Sequence, residues 1–322
     1  MKILLIRLSS IGDIVLCSPV IRCLKTQIPD LELHFLCKEN FKAVVAHNPY
    51  IDRIHYFENY KKIKSELKPL QFDQVIDLHN NQRTYIIKKI LRVPSYSFDK
   101  QNIQKWIYCN FKINLMRKVH IVERYMETIK HLRVKNDNKG LDYFIAESDK
   151  VDLNKIDPEI KTDNYIAWVI GGQHKGKIYP SEKIISIAKQ LKQKILLLGG
   201  PDDVAMGKDI AEKNAHHVIN TCGQFSLNQS ASIIQQSRLI ITNDTGLMHI
   251  AAAFKKKVIS LWGGTVPEFG MYPYMPHPDS KILVGRSFLS PSSKLGKPTL
   301  FNPSPMDKIP ESEVLKAVEE LW

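Results

Sequence analysis

The segment Thr242-Asn243-Asp244-Thr245-Gly246-Leu247-Met248-His249 gathers several polar groups at one turn. It follows the apolar Leu239-Ile240-Ile241 and precedes Ile250–Ala253, so it reads as strand end, turn and helix start. The first N–H groups of a helix lack intrahelical partners, and the helix dipole is positive there. Asp244, Thr245 and Gly246 therefore sit where a diphosphate would be held, with His249 one turn further on. The plainer alternative is a capped turn above a core histidine.

Three more loops in the same half have the same placement. Gly171-Gly172-Gln173-His174-Lys175-Gly176-Lys177 follows the apolar Tyr165–Ile170. Its glycines allow close backbone approach, and Lys177 offers charge to a phosphate. Leu198-Gly199-Gly200-Pro201-Asp202-Asp203 ends a second strand. A carboxylate here suits ribose hydroxyls, although Asp202 or Asp203 would equally serve as a helix cap. Trp262-Gly263-Gly264-Thr265 ends a third strand, with Thr265 within reach of a phosphate or sugar, or simply in a turn. Four loops at the carboxyl ends of parallel strands converge on one sheet edge, where open α/β sheets bind ligands. A nucleotide-diphosphate site is the expectation.

At the other end of the chain, Arg7-Leu8-Ser9-Ser10-Ile11-Gly12-Asp13 runs from a strand into a helix start. Ser9, Ser10 and Gly12 would present hydroxyls and backbone N–H groups to an anion. It is neither a Walker loop nor G-x-G-x-x-G. Asp13 is a candidate general base or merely a helix cap, and the spacing alone does not decide. A helix N-terminus lowers a carboxylate pKa and so weakens it as a base, which a partly desolvated site would have to offset.

These loops need strands and helices to hold them. Apolar runs at Lys2–Leu8, Leu31–Cys37, Ile51–Phe57 and Gln74–Leu78 alternate with helical patterns at about 14–25, 41–47, 60–67 and 83–91. A basic, aromatic-bearing helical stretch, 100–135, interrupts this rhythm, and a polar segment, 146–163, follows. Alternation then resumes. Strands are expected at Tyr165–Ile170, Lys194–Leu198, 217–220, 238–242 and 258–262. Helices are expected at Ser181–Gln190 (Ser181 as N-cap), 204–215, 227–235, 246–254 and 312–321, with a long loop over 286–308. Such alternation implies parallel sheets covered on both faces. The expected domains are 1–155 and 156–322.

With 322 residues, 43% hydrophobic and 25% charged, the chain is long enough for two cores and is neither disordered nor fibrous. No apolar run reaches the ~20 residues of a membrane span, and the first residues do not form a signal peptide, so a cytoplasmic location is expected. Five scattered cysteines without Cys-x-x-Cys indicate neither disulfides nor zinc. With no Asp-x-Asp after a strand, no His-x-x-x-His and no Glu-x-x-His, no metal site is expected. The net charge is +13, and residues 83–135 alone hold thirteen Lys and Arg against Asp99, Glu123 and Glu127. That basicity suits a phosphorylated substrate or an anionic lipid surface. Nucleic acid is not expected, because no binding motif accompanies the charge.

Taken in order, these motifs resemble the bacterial heptosyltransferase family, the ADP-heptose:lipopolysaccharide transferases of glycosyltransferase family nine. Ser9-Ser10-Ile11-Gly12-Asp13-Ile14-Val15 looks like the family's N-terminal loop, and His120-x-x-Glu123-Arg124-Tyr125 like its segment before the interdomain linker. Asn243-Asp244-Thr245-Gly246-x-x-His249 looks like the donor-binding signature, followed by Leu261-Trp262-Gly263-Gly264-Thr265. The resemblance implies a GT-B architecture, two Rossmann-like doubly wound domains facing across a cleft. The N-terminal domain would bind the acceptor and the C-terminal one the nucleotide sugar.

It further implies an inverting, metal-independent transfer, without a cofactor, from ADP-heptose to a phosphorylated, lipid-linked lipopolysaccharide inner-core acceptor. Peripheral contact with the inner membrane surface would accompany it. Asp13 matches the family's proposed base. Asp244, Thr245, Gly246 and His249 match donor-binding positions. Lys177 matches the phosphate-contacting lysine of Lys-x-Trp-Pro, here Lys177-Ile178-Tyr179-Pro180 with Tyr179 for tryptophan. Asp202 falls near the family's ribose-contacting acid. A GT-B transferase using another nucleotide sugar for a different cell-surface glycan is the alternative, and sugar-nucleotide epimerases share the fold.

Overall fold

The computed structural model describes residues 1–285, 290–298 and 305–322. The chain divides into two compact units. One holds Met1–Lys100 and Val119–Phe144, the other Gln101–Lys118 and Ile145–Trp322. The sequence placed the domain boundary at 155. In the structure residues 145–155 group with the second unit, as does the helix Asn102–Phe111 from the basic stretch.

The first unit carries five strands: β1 (Lys2–Ile6), β2 (Glu32–Cys37), β3 (Arg53–Tyr56), β4 (Gln74–Asp77) and β5 (Ser95–Ser97). They form one sheet in the order β3-β2-β1-β4-β5, every pair parallel. The central β1 is apolar on both faces, and Ile3 to Ile6 are fully buried, as a parallel strand covered by helices requires. The expected single helix over 14–25 is two, Ile11–Val15 and Ser18–Gln27. Pro19 explains the break, because it cannot donate within a continuing helix but is tolerated in the first turn of a new one. The short exposed β5 carries only Ser-Tyr-Ser, too little pattern to be read from sequence.

The second unit carries β6 (Tyr165–Val169), β7 (Lys194–Leu198), β8 (Val218–Asn220), β9 (Leu239–Asn243), β10 (Lys257–Trp262) and β11 (Lys281–Val284). Their order is β11-β10-β9-β6-β7-β8, again all parallel. The period of two divides β6 between two cores. Ile166 and Trp168 pack with Ile184, Ile187, Val314 and Leu321 on one face, while Tyr165, Ala167 and Val169 pack with Ile233, Met248 and Val258 on the other. The helix Ser181–Gln190 has Pro180, not Ser181, as its N-cap, so Ser181 is already the first helical residue. The expected loop at 286–308 lies partly outside the described residues; within it Pro305–Lys308 forms a 3-10 turn.

Candidate active site

In the first unit, the turn after β1 carries the candidate base. Asp13 lies three residues after Ser10, the N-cap of the helix Ile11–Val15. Its Oδ2 accepts from the Ser10 hydroxyl at 2.8 Å and the Ser10 backbone N–H at 3.2 Å. Its Oδ1 meets the Arg7 guanidinium at 2.6 Å. Arg7 is itself buried and donates to the Leu78 and Ser9 carbonyls and, at 2.9 Å, to the Tyr125 hydroxyl. Burial pushes the Asp13 carboxyl up, but the Arg7 charge and the Ser10 hydrogen bonds outweigh it, and the group lies below the ordinary carboxylate range. Asp13 is thus both cap and carboxylate, so the two readings of the sequence do not exclude each other.

His79 stands in the same neighbourhood. Burial first, then the Arg7 and Lys100 charges, against the opposing pull of Asp13 and Asp77, push its imidazole down to about 4. It is therefore neutral near pH 7, and its buried Nδ1 has no hydrogen-bond partner among the described residues.

In the second unit, β10, β9, β6 and β7 are consecutive in the sheet and parallel, so their carboxyl ends share one edge. The loops carrying Thr265, Asp244, Lys177 and Asp202 follow these ends, as the sequence predicted. The Asp244 carboxylate joins three of the loops. Its Oδ2 accepts from Lys177 Nζ at 2.6 Å and from the Thr265 hydroxyl at 2.7 Å. Thr245 is the N-cap of the helix Gly246–Ala253, and His249 in that helix is buried. Asn243 fixes the turn from below, its amide donating to the carbonyls of Ile170 and Gly171 at 2.9 and 3.0 Å.

Backbone contact closes the same group of loops. Gly264 N donates to Gly176 O at 2.9 Å, and Ser292 N to Gly264 O at 3.1 Å. A Cβ on Gly176 would collide with the Gly296 carbonyl oxygen, which explains a glycine directly before Lys177.

Not every predicted residue joins this cluster. Asp202 is exposed on the turn after β7, whereas Asp203 turns inward and accepts from Gly200 N at 2.8 Å. The capping reading therefore holds for Asp203. Tyr179 is fully buried, with its hydroxyl on Ile309 O at 3.2 Å, so the position that departs from Lys-x-Trp-Pro is part of the core. Ser9 and Gly12 lie in the turn beside Asp13, with Ser10 as its bonded partner. The sequence missed Arg7 as the partner of Asp13, and the buried Tyr125 beneath it. An arginine closing an otherwise apolar strand, Lys2–Leu8, was the available signal.

The description "Glycosyltransferase family 9 (heptosyltransferase)" belongs to the family model that matches residues 60–301. Lipopolysaccharide heptosyltransferase 1 of Campylobacter coli is 27% identical over 295 residues, covering 82% of this chain and 84% of its own. The crystal structure of a family 9 glycosyl transferase from Veillonella parvula superposes with a TM-score of 0.79 at 24% identity, covering 99% of this chain and 96% of that one. An E. coli heptosyltransferase with ADP-2-deoxy-2-fluoro heptose gives 0.72 at 19% identity, covering 99% of each. The shared fold agrees with the expected GT-B class of two parallel-sheet α/β domains. The chain belongs to glycosyltransferase family 9.

Proposed function

We propose that this family 9 glycosyltransferase moves heptose from ADP-heptose to a phosphorylated, lipid-linked lipopolysaccharide inner-core acceptor, with inversion and without a metal. The observation that carries the reading is the Asp244 carboxylate held by Lys177 and Thr265 at the start of the helix Gly246–Ala253. It puts a cation and the free N–H groups of a helix start together at the carboxyl edge of a parallel sheet. The relatives' lipopolysaccharide heptosyltransferase activity supports the sugar and acceptor, and the E. coli structure's ADP-linked fluoro-heptose supports the donor.

Asp13 takes the proton of the attacking acceptor hydroxyl. The new glycosidic C–O bond forms on the face opposite the nucleotide as the bond from the anomeric carbon to the diphosphate breaks, so configuration inverts. Negative charge grows on the departing ADP. Lys177 and the N–H groups at Thr245 and Gly246 stabilise it, the task a divalent cation would otherwise perform. His249 and Asp202 belong to the donor-binding set, with Asp202 directed at the ribose. Ser9, Ser10 and Gly12 shape the acceptor side. On this reading residues 1–155 hold the acceptor, 156–322 the nucleotide sugar, and the protein works in the cytoplasm at the inner face of the inner membrane. In the first unit Tyr85, Lys88, Lys89 and Arg92 line a cavity whose cations suit acceptor phosphates.

Turnover with ADP-, UDP-, GDP- and TDP-sugars on a truncated lipopolysaccharide acceptor, with EDTA present, tests the reading. ADP release from ADP-heptose alone, with a lengthened acceptor of inverted linkage, is the expected result. Turnover only with another nucleotide sugar would move the substrate to the alternative GT-B class. Loss of turnover in EDTA would overturn metal independence.

A further inference from the structure

Ile103, Trp106 and Phe111 on the helix Asn102–Phe111, with Ile113 and Leu115 just after it, are 72, 58, 60, 56 and 57% exposed. They supply five of the thirteen exposed large hydrophobic side chains among the described residues, all within one short segment. On the helix they recur at about one per turn, which makes an apolar stripe. Such a stripe ordinarily faces the core, but here the opposite side does. Lys105 is buried with its Nζ 5.7 Å from the Phe269 ring centroid, and Tyr108 meets the same ring edge-on at 6.1 Å. The helix is thus fastened to the second unit by its lysine-and-tyrosine face, and its aliphatic and tryptophan face is left outward.

The segment Ser290–Pro298 extends the patch. Lys112 Nζ donates to Pro291 O at 2.8 Å and Lys294 Nζ to Asn102 Oδ1, which brings Leu295, 52% exposed, alongside. The two segments that form this patch carry charge of one sign, and the exposed Glu268 lies beside Tyr108 on the side of the helix that faces Phe269. Residues 101–118 and 290–298 contain Lys105, Lys112, Arg117, Lys118, Lys294 and Lys297 and no Asp or Glu.

We propose that this face docks on an anionic lipid bilayer. The inference rests on the reading of the acceptor as lipid-linked and deepens it by naming the surface and the lipid charge. Trp106 and Phe111 would enter the interfacial layer, where aromatic rings are favoured. The cations around them would meet anionic headgroups, the pattern of an interfacial amphipathic helix. Apart from the buried Lys105, lysine supplies four of the five cations, and lysine is depleted from protein–protein interfaces while arginine is enriched. The composition therefore fits a lipid surface better than a polypeptide partner.

The test is co-flotation of the full chain with phosphatidylethanolamine vesicles containing phosphatidylglycerol, and with phosphatidylcholine vesicles alone. Trp106→Ser/Phe111→Ser is compared with the unaltered chain, together with ADP affinity and turnover on a delipidated acceptor. The unaltered chain should float with the anionic vesicles and not the neutral ones. The double variant should lose roughly tenfold or more of that affinity, because membrane binding scales with buried apolar area. Both substituted side chains are exposed, so ADP affinity and delipidated turnover should not change. Equal binding by the double variant, or no binding by the unaltered chain, would overturn the proposal. So would a concentration-dependent dimer that the double variant abolishes, because the face would then belong to a second copy. Loss of turnover on the delipidated acceptor in the unaltered chain would strike the proposed reaction instead, so the two failures are distinguishable.

Discussion

The Arg7 guanidinium stands 2.6 Å from the Asp13 carboxylate, and both side chains are largely buried. Arg7 outranks hydrogen bonding at the helix start among the causes that hold this carboxyl below its ordinary range. Removing it leaves desolvation, which raises a carboxylate pKa, opposed only by the Ser10 hydrogen bonds. In the unaltered chain kcat/KM should be level from pH 8 to pH 5 as far as Asp13 is concerned, and should fall only in more acid solution. In Arg7→Met the acid limb should move to higher pH. The same variant strands a carboxylate and the Tyr125 hydroxyl, and loss of one partner of a buried pair costs about 3–5 kcal/mol, so its Tm should fall. An unmoved acid limb in folded Arg7→Met would show that Asp13 is not the group limiting the rate in acid.

Asp13→Asn keeps the shape of the side chain and removes its capacity to accept a proton. Turnover should fall by about 10²–10⁴-fold, while ADP affinity, measured calorimetrically, stays within error, because Lys177 and Asp244 belong to the other unit. Retained turnover would sink the assignment of the base.

Lys177 and Asp244 share an ion pair at 2.6 Å, with side chains 19 and 11% exposed. Lys177→Met removes the cation proposed to meet the diphosphate and also leaves Asp244 short of its partner. The stranded Asp244 weakens the fold with or without ADP, whereas a lost hydrogen bond to a charged phosphate is worth about 1.5–3 kcal/mol, so ADP should bind at least tenfold more weakly. Thr265→Val takes only a neutral donor, 2.7 Å from the same oxygen, and should weaken ADP by a smaller factor. If the order of the two losses is reversed, Lys177 does not contact the phosphates.

The sequence revealed elements whose pattern is strong and local. The strands Lys194–Leu198 and Tyr165–Val169, apolar on both faces, were readable almost to the residue. So was the placement of Asp244, Lys177 and Thr265 at strand ends, because parallel pairing sends consecutive carboxyl ends to one edge. Long-range partners were not readable. Nothing local announces that Arg7 reaches Tyr125 and the Leu78 carbonyl across 118 and 71 residues of chain. The split at Pro19 was in plain sight, but the apolar period ran through it. The helical stretch expected over 100–135 is two helices, Asn102–Phe111 and Ile121–Glu127, and the first turns its apolar stripe outward, which nothing in its own period announces.

Asp202 and Asp203 separate two tasks that the sequence could not. Asp203 holds Gly200 N at 2.8 Å and packs against Gly171 and Gly199. Asp203→Ala should lower stability by about 1 kcal/mol, the usual cost of a lost cap, which a denaturant midpoint would register. Asp202→Ala leaves that turn intact and should reduce ADP affinity at unchanged midpoint. An equal affinity loss in both variants would mean that the whole turn, not Asp202, supports the ribose.

Arg22 governs how the polar turn after the helix Ile121–Glu127 is fastened to the first unit. Its guanidinium grips both oxygens of Asp137, at 2.7 and 2.8 Å, and also reaches Asp142 and the Gly140 carbonyl. The Arg22 hydrogen bonds are the leading cause that draws the Asp137 carboxyl from its ordinary 3.8 to about 2. A depressed folded-state pKa contributes stability that is complete above the unfolded pKa and is lost as pH falls through the folded value. The window is therefore from about pH 4 down to pH 2. Asp137 is 18% exposed, so the shift corresponds to about 2 kcal/mol. Urea midpoints measured at pH 5 and pH 2.5 should differ less in Asp137→Asn than in the unaltered chain, because the asparagine cannot titrate. At pH 5 the variant should already be weaker, and at pH 2.5 the gap should have shrunk to about a third. A constant difference at both pH values would show that Arg22 holds Asp137 by shape rather than by charge.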